Sequence, residues 1–496
     1  MSSIDWSSLW KKEDWWALWL GLLIFFLGLL YVYGYNVLGW AANVIEWVDP
    51  AKAIVPISKA YEYLGGLGSL IVTYIVFLAI LSIGAAAMGW NLKRFALGFT
   101  VIFFLTMLCW VIGHYAYIAS TDPAKSGIPW SLRLTGEFGY LFALILGLII
   151  GNFFRKFAEK LREAARPEWF IKTAIVLLGA IVGVKAVTID PRVLANFFFR
   201  GVAAIIEAYL IYWALTYFVA RKFFKFSREW AAPLASGIAI CGVSAAIATA
   251  AAIRARPVVP IMVASLVVVF AAVELVILPI VAAVFLAHQP LVAGAWMGLA
   301  VKTDGAAAAS ASIVDALIVG TNPQYEPLKG WILNAGVMVK LFIDIFIGVW
   351  AFILAVIWVY YIDRRPGEKV RKIEIWFRFP KFVIGYFVTF FVLLALASAA
   401  VSAATAGLPP EKVPDATKKA LKPFDDATKQ TDVFRKMFFA LTFFSIGLVT
   451  DFSTLRKEGY GKLAAVYFIA LFGFIIWIGL AISWIFFHDV HHFFLR

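Results

Sequence analysis

The chain has 496 residues; 63% are hydrophobic, 15% are charged, and the mean hydropathy is +0.88. A soluble globular chain is roughly 45–50% apolar and about 25% charged. A cytosolic enzyme, a disordered regulator and a secreted disulfide scaffold are therefore excluded, which leaves an all-α polytopic membrane protein. The formal net charge of +14 fits basic loops against anionic lipid headgroups rather than a nucleic-acid partner. Cys109 and Cys241 both lie in apolar runs and cannot build a disulfide framework or a Cys-based metal site.

A helix needs about 20 apolar residues to cross the hydrocarbon core. Thirteen spans are predicted, at 14–34, 66–89, 95–117, 136–153, 169–188, 197–219, 230–252, 258–287, 291–317, 332–361, 380–402, 434–451 and 462–487. The first apolar run, beginning at Trp15, is full length and has no small-residue cleavage site behind it. It is expected to stay as a signal anchor. Trp6, Trp10, Trp15, Trp16 and Trp19 crowd this end. A homodimer surface and lipid-facing aromatics both account for them.

Lys and Arg in the loops set the orientation. One side collects 24 of them, seven in 362–381; the other collects 17, seven in the loop 403–436, which also carries five acidic residues. The N-terminus is expected in the cytoplasm and the C-terminus outside, in the cell membrane. Three basic residues, Lys185, Lys302 and Lys340, fall inside spans, as do Glu207, Glu274, Asp304, Asp315 and Asp344. A charge at mid-bilayer costs at least about 2.5–3.5 kcal/mol, so each suggests function. Each also has a plainer reading. Lys185 is near a helix end and can snorkel. Lys340 and Asp344 are four apart and can neutralise each other. Glu274 is either an ion-coupling group or a buried protonated carboxyl.

Spans four to eight and nine to thirteen read as two five-helix units behind an N-terminal three-helix module. The domains are then 1–135, 136–290 and 291–496. The fourth member of each unit is rich in Gly and hydroxyl residues: Ser236 to Thr249 in the first, Ala440 to Asp451 in the second. Five helices per unit makes the second inverted. Inverted repeats with two broken, crossing helices are a transporter plan, and half-helix N-termini suit an anion. Close helix packing is the other reading of such small residues. There is no P-loop. His488, His491 and His492 cluster after the last span; such a cluster can hold a metal, but an interfacial tail is the preferred reading, and no metal or cofactor is expected.

Four stretches carry a family likeness: Ala143-Leu-Ile-Leu-Gly-Leu-Ile-Ile-Gly-Asn152, Lys172 through Gly179, Ile240-Cys-Gly-Val-Ser-Ala245, and Phe444-Ser-Ile-Gly-Leu-Val-Thr-Asp-Phe-Ser-Thr-Leu455. Over roughly 136–487 the chain resembles the sulfate exporter family of bacterial and archaeal membrane proteins, related in plan to the bile-acid and sodium symporter fold. The resemblance implies ten core helices, with a core domain moving against a panel domain. Where that family carries a His–acidic pair and a Gln-containing stretch, this chain has Gly298-Leu-Ala-Val-Lys-Thr-Asp-Gly-Ala-Ala-Ala-Ala309. Lys302, Thr303 and Asp304 replace the expected cluster. They form either a site or an internal Lys–Asp pair. The Gly/Ala-rich 305–309 suggests a close-packed or an unwound segment, and Gly305 is well placed for unwinding.

The leading expectation is a secondary transporter of a small anion: sulfate, sulfite or an organosulfonate. Gly242, Ser244, Lys302, Thr303, Thr442, Ser445, Gly447 and Thr450 are the candidate substrate-binding residues. Asp304 and Glu274 are the candidates for coupling H⁺ or Na⁺. The alternatives are an ion-coupled symporter of an organic solute and a channel or membrane sensor. No enzyme is expected, because no set of nucleophile, base and metal stands out.

Overall fold

The computed structural model describes residues 7–120, 123–132, 136–189, 191–242, 244–256, 258–362, 380–453 and 460–495. The chain forms two compact units, each discontinuous in sequence. The first comprises Met1–Pro191 and Lys381–Leu448, the second Arg192–Pro380 and Val449–Arg496. Compactness thus groups the chain differently from the repeat boundaries read in the sequence.

The N-terminal part runs through α1 (Glu13–Leu29), a short hairpin of β1 (Ala42–Val44) and β2 (Ile54–Pro56), α2 (Gly65–Ala87) and α3 (Leu92–Gly113). The two strands pair antiparallel with Asn43 opposite Val55. Next come α4 (Gly139–Phe153), α5 (Arg155–Leu161) and α6 (Pro167–Ala186). Helix α7 (Pro191–Ile206) continues through a π turn at Glu207–Tyr212 into α8 (Trp213–Lys222). Then follow α9 (Arg228–Ala239), α10 (Ser244–Ile253), α11 (Val258–Phe285), α12 (Pro290–Ala300), α13 (Asp304–Thr321), α14 (Trp331–Ile345) and α15 (Ile347–Ile357). The chain closes with α16 (Lys381–Thr405), α17 (Val413–Val449), α18 (Tyr460–Ala470) and α19 (Ile476–Phe487), the last two joined by a π turn.

Ten helical segments among the described residues are long and apolar enough to cross a membrane. The protein is a multi-pass, all-α membrane protein. Three of the thirteen expected spans do not meet that test alone. Segment 136–153 is a 15-residue helix that turns by 117° into α5. Segment 230–252 is two short helices, α9 and α10. Segment 434–451 is the end of a longer and more polar helix.

That helix, α17, corrects two expectations. The stretch 403–436 is not a loop: α17 starts at Val413 and has 37 residues, about 55 Å of continuous helix. Nor is 440–451 broken, because α17 runs unbroken to Val449. Its small and hydroxyl residues serve helix continuity and packing. Thr442 Oγ1 donates to the Phe438 carbonyl at 2.7 Å. A side chain at Gly447 would meet the Leu148 nitrogen at 2.7 Å, and one at Gly151 would meet the Leu448 carbonyl at 2.6 Å. Helices α4 and α17 therefore cross backbone to backbone in the first unit, which glycine alone permits.

The same unit joins α6 to α16. Gly179 and Gly183 face the carbonyls of Tyr386 and Phe390, and Thr389 Oγ1 donates to the Val176 carbonyl at 2.7 Å. Lys172, buried on α6, is held by Asp14 at 2.8 Å and Glu168 at 3.5 Å. Lys185 lies in the last turn of α6 and is partly exposed, as a snorkelling lysine should be.

In the second unit, α7 packs on α14. A side chain at Gly201 would touch Met338 and Phe342 at 2.9 Å, and Tyr209 donates to the Ile343 carbonyl at 2.6 Å. Helix α11 meets α18, with the Phe270 and Tyr467 rings stacked 4.3 Å apart. The basic stretch 363–379 and residues 454–459, both used in reading the orientation, lie outside the described residues.

Candidate functional site

Two helices of the second unit are interrupted, and the interruptions meet. Helix α9 ends where Ile240 leaves helical geometry (φ −107°, ψ −83°). Helix α12 ends at Val301, which is extended (φ −84°, ψ 129°). Across the gap the Gly242 amide donates to the Lys302 carbonyl at 2.6 Å. A side chain at Gly242 would collide with Val267 and sit 3.3 Å from the Lys302 carbonyl oxygen, so glycine is required for this approach. The crossing halves are the segments 228–253 and 290–321. The first break lies within the expected 236–249; the second lies not in 440–451 but at 301–303, two residues before the unwinding expected at Gly305.

Glycine does not make the second break. Gly305 lies inside α13, and the extended residues are Val301 and Thr303. Thr303 takes the N-cap role, its Oγ1 accepting from the Ala306 amide at 3.1 Å. That bond satisfies one of the free donors of a helix start. On the other helix, Thr249 Oγ1 donates to Ser236 Oγ at 2.7 Å, tying α10 to α9 across its break.

A break leaves carbonyls at one half-helix end and amides at the other. The two lysines cover the carbonyl ends. Lys302 Nζ donates to the Leu299 carbonyl and lies 4.4 Å from the Tyr212 ring centroid. Lys340 Nζ, from α14, donates to the Ile240 carbonyl and lies 3.9 Å from Asp304 Oδ1. Each ammonium thus meets the negative end of a helix dipole.

The carboxylates surround these cations. Cys241 Sγ donates to Asp304 Oδ1 at 2.9 Å, and an oxygen of Asp344 lies in the same cluster, within 4.8 Å of both. Glu274 accepts from the Lys302 amide at 3.3 Å and from the Tyr467 hydroxyl at 3.2 Å. Glu207 is fully buried on the π turn beside Tyr212. Lys302, Asp304, Lys340, Asp344, Glu274 and Glu207 are all buried, each at most 4% exposed. A buried charge persists only with partners; Lys302, Asp304, Lys340 and Glu274 find theirs in this network, whereas both Glu207 carboxylate oxygens are buried without a hydrogen-bond partner among the described residues. Lys302 and Asp304 face different partners and do not form the internal pair that their spacing allowed.

Residues 107–466 match the family described as conserved hypothetical protein 698. The chain belongs to this family. It is 44% identical over 485 residues to a UPF0324 membrane protein of Nitrosomonas europaea, with 96% of each chain covered. An uncharacterized protein of Archaeoglobus fulgidus is 65% identical over 187 residues, 37% of this chain and all of that one. A UPF0324 membrane protein of Nitratidesulfovibrio vulgaris is 28% identical over 438 residues, 87% of this chain and 66% of that one. No solved structure matches the chain. The family match begins inside α3, and the Nitrosomonas relative extends the likeness over nearly the whole chain, including the N-terminal helices.

The crossing brings together Gly242, Lys302, Thr303, Asp304 and Glu274, five of the candidate residues. Ser244 opens α10 beside it and is half-buried; Val243 lies outside the described residues. Thr442, Ser445 and Gly447 belong to the first unit, on α17. Thr450 is buried and belongs to the second unit, just past the end of α17. Asp315 does structural work: its Oδ1 accepts from the amides of Gly330 at 2.7 Å and Leu333 at 3.2 Å, at the start of α14. Cys241, Tyr209, Tyr212 and Tyr467 escaped the sequence reading. Cys241 had one signal, its place beside the glycine of a break. Tyr467 had none, being 193 residues from Glu274.

Proposed function

We propose that the protein is a secondary active transporter, not an enzyme, that moves a small anion across the cell membrane. The class of cargo is sulfate, sulfite or an organosulfonate, as the family resemblance suggests. Alternating access would come from a core domain moving against a panel domain. The observation that carries this reading is the buried contact between two broken helices, the Gly242 amide on the Lys302 carbonyl at 2.6 Å. Interrupted backbone is tolerated at membrane depth where it is buried in protein or lines a cavity, and paired interrupted helices are where transporters hold cargo. The amide ends of α10 and α13 carry partial positive charge, and Ser244 and Thr303 add hydroxyls.

The inverted repeat draws support from helix pairing. Take the expected units as spans four to eight and nine to thirteen. The first member of the first unit, α4, packs on the fourth of the second, α17. The fourth of the first unit, α9 with α10, crosses the first of the second, α12 with α13. Second members pack on third members in both directions: α6 on α16, and α14 on α7. Fifth packs on fifth, α11 on α18. Reciprocal pairing of this kind is what two inverted repeats would give. In it, the glycine crossing of α4 and α17 is the unbroken counterpart of the broken crossing.

Around the crossing four carboxylates (Glu207, Glu274, Asp304, Asp344) face two lysines. The surplus favours a coupled cation, H⁺ or Na⁺. It also keeps the second reading in play, a cation-coupled symporter of an organic solute. Purified protein in liposomes separates the roles. Lys302→Met is expected to weaken sulfate or sulfite binding at every pH. Asp304→Asn is expected to keep binding and lose its dependence on pH or Na⁺. Parental binding and transport in both variants would make the network purely structural.

We further propose that the N-terminus is cytoplasmic and the C-terminus outside. Single cysteines at 369 and 418, in a background without Cys109 and Cys241, should differ in labelling by an impermeant reagent added to intact cells. Strong labelling is expected at 418 and little at 369. Equal labelling would discard the orientation.

A further inference from the structure

The chain has five histidines, and three of them crowd one carboxylate just beyond α19. His488 Nδ1 lies 3.2 Å from Asp489 Oδ2, and His492 Nε2 lies 3.7 Å from Asp489 Oδ1. The His491 and His492 rings lie 4.1 Å apart. One ligand atom each from Asp489, His491 and His492 fall within 4.8 Å of one another.

A second observation points to a ligand. His491 is 3% exposed, and its buried Nδ1 has no hydrogen-bond partner among the described residues. A buried polar atom left unsatisfied is costly, and a metal ion is one group to which an imidazole nitrogen donates its lone pair in such a place. The carboxylate is also braced. Gln289 Nε2 donates to Asp489 Oδ1 at 2.8 Å, and the Asp489 amide donates back to Gln289 Oε1 at 2.9 Å. Bracing of this kind orients metal ligands and is part of a working site.

We propose that Asp489, His491 and His492, with His488 as a fourth donor, bind a zinc-type divalent cation that fastens the C-terminal turn to the start of α12. The donor set is nitrogen-rich with one carboxylate, which suits Zn²⁺ and disfavours the all-oxygen shells of Mg²⁺ and Ca²⁺. Tetrahedral Zn²⁺ needs neighbouring donors about 3.4 Å apart, a contraction that side-chain rotation of the exposed His492 and Asp489 supplies. Gln289 is the residue immediately before α12, the half-helix that ends at the crossing. A metal on Asp489 is therefore one hydrogen bond from that helix. The inference stands on this cluster and is independent of the transport reading.

The test uses the full-length protein in detergent, without a histidine tag. After incubation with zinc and gel filtration, about one zinc ion per chain is expected by atomic emission. His492→Ala, an exposed position, should lose it while eluting as a monodisperse peak. Gln289→Leu should weaken zinc by about 10–100-fold in titration. Two results would overturn the proposal: no zinc retained by the parent, or equal zinc retained by monodisperse His492→Ala.

Discussion

Replacing Lys340 by Met is expected to destabilise the protein by about 3–5 kcal/mol, the usual cost of removing one partner from a buried ion pair. Lys340 is 4% exposed and is bonded to the Ile240 carbonyl, with Asp304 at 3.9 Å. Its loss leaves the carbonyl end of α9 bare and a buried carboxylate without its cation. Denaturant titration of the detergent-solubilised protein reads the effect as a lower midpoint. Adding Asp304→Asn should restore part of the loss, because a neutral amide tolerates burial without a counter-charge. A parental midpoint for Lys340→Met would mean that the network contributes no stability and that the cation is dispensable.

Gly242→Val is expected to be comparably damaging, for steric rather than electrostatic reasons. Inserting methyl groups into a packed core costs about 1–3 kcal/mol. Here the clash is with Val267 on α11, which is itself completely buried. The amide would also be pushed off the Lys302 carbonyl, with about 0.5–1.5 kcal/mol more at stake. Transport, on the reading proposed above, should fall to background. Gly242→Ala together with Val267→Ala makes room for a methyl group. The double variant should be more stable than the two single losses predict if the contact is direct. Strict additivity would place the effect of Gly242 elsewhere, in the backbone conformation of residues 240–242.

Most of the helical plan was legible in the sequence because membrane spans report themselves by composition. Runs near 20 apolar residues have few alternatives in a bilayer. The buried charges were legible for the same reason: Lys302, Asp304, Lys340, Asp344, Glu207 and Glu274 stand out in apolar surroundings. So was the break at Ile240 to Ser244, where a small-residue stretch carries a glycine. The second break was legible only as unwinding near Gly305; its place at 301–303 was not, because it is made by Val, Lys and Thr. Val301 ends one helix, and Thr303 caps the next through a hydrogen bond that composition does not encode. At 440–451 glycine misled, since Gly447 serves close approach to α4 and not a change of backbone direction.

Tertiary structure alone decided which charge answers which. Lys340 and Asp344 share a helix, yet Lys340 reaches across to Ile240 and Asp304. Lys302 and Asp304 are neighbours in sequence, yet they turn to Leu299 and Cys241 respectively. An ammonium in a dry interior goes to whichever carbonyls and carboxylates the packing brings within reach, and those lie 100 residues away in the chain for Lys340 and 158 for Lys172. Local sequence determines where a helix forms and where a charge is carried. The partners that make a buried charge affordable are set by how the helices cross, and long-range contact is the one thing a single sequence leaves unwritten.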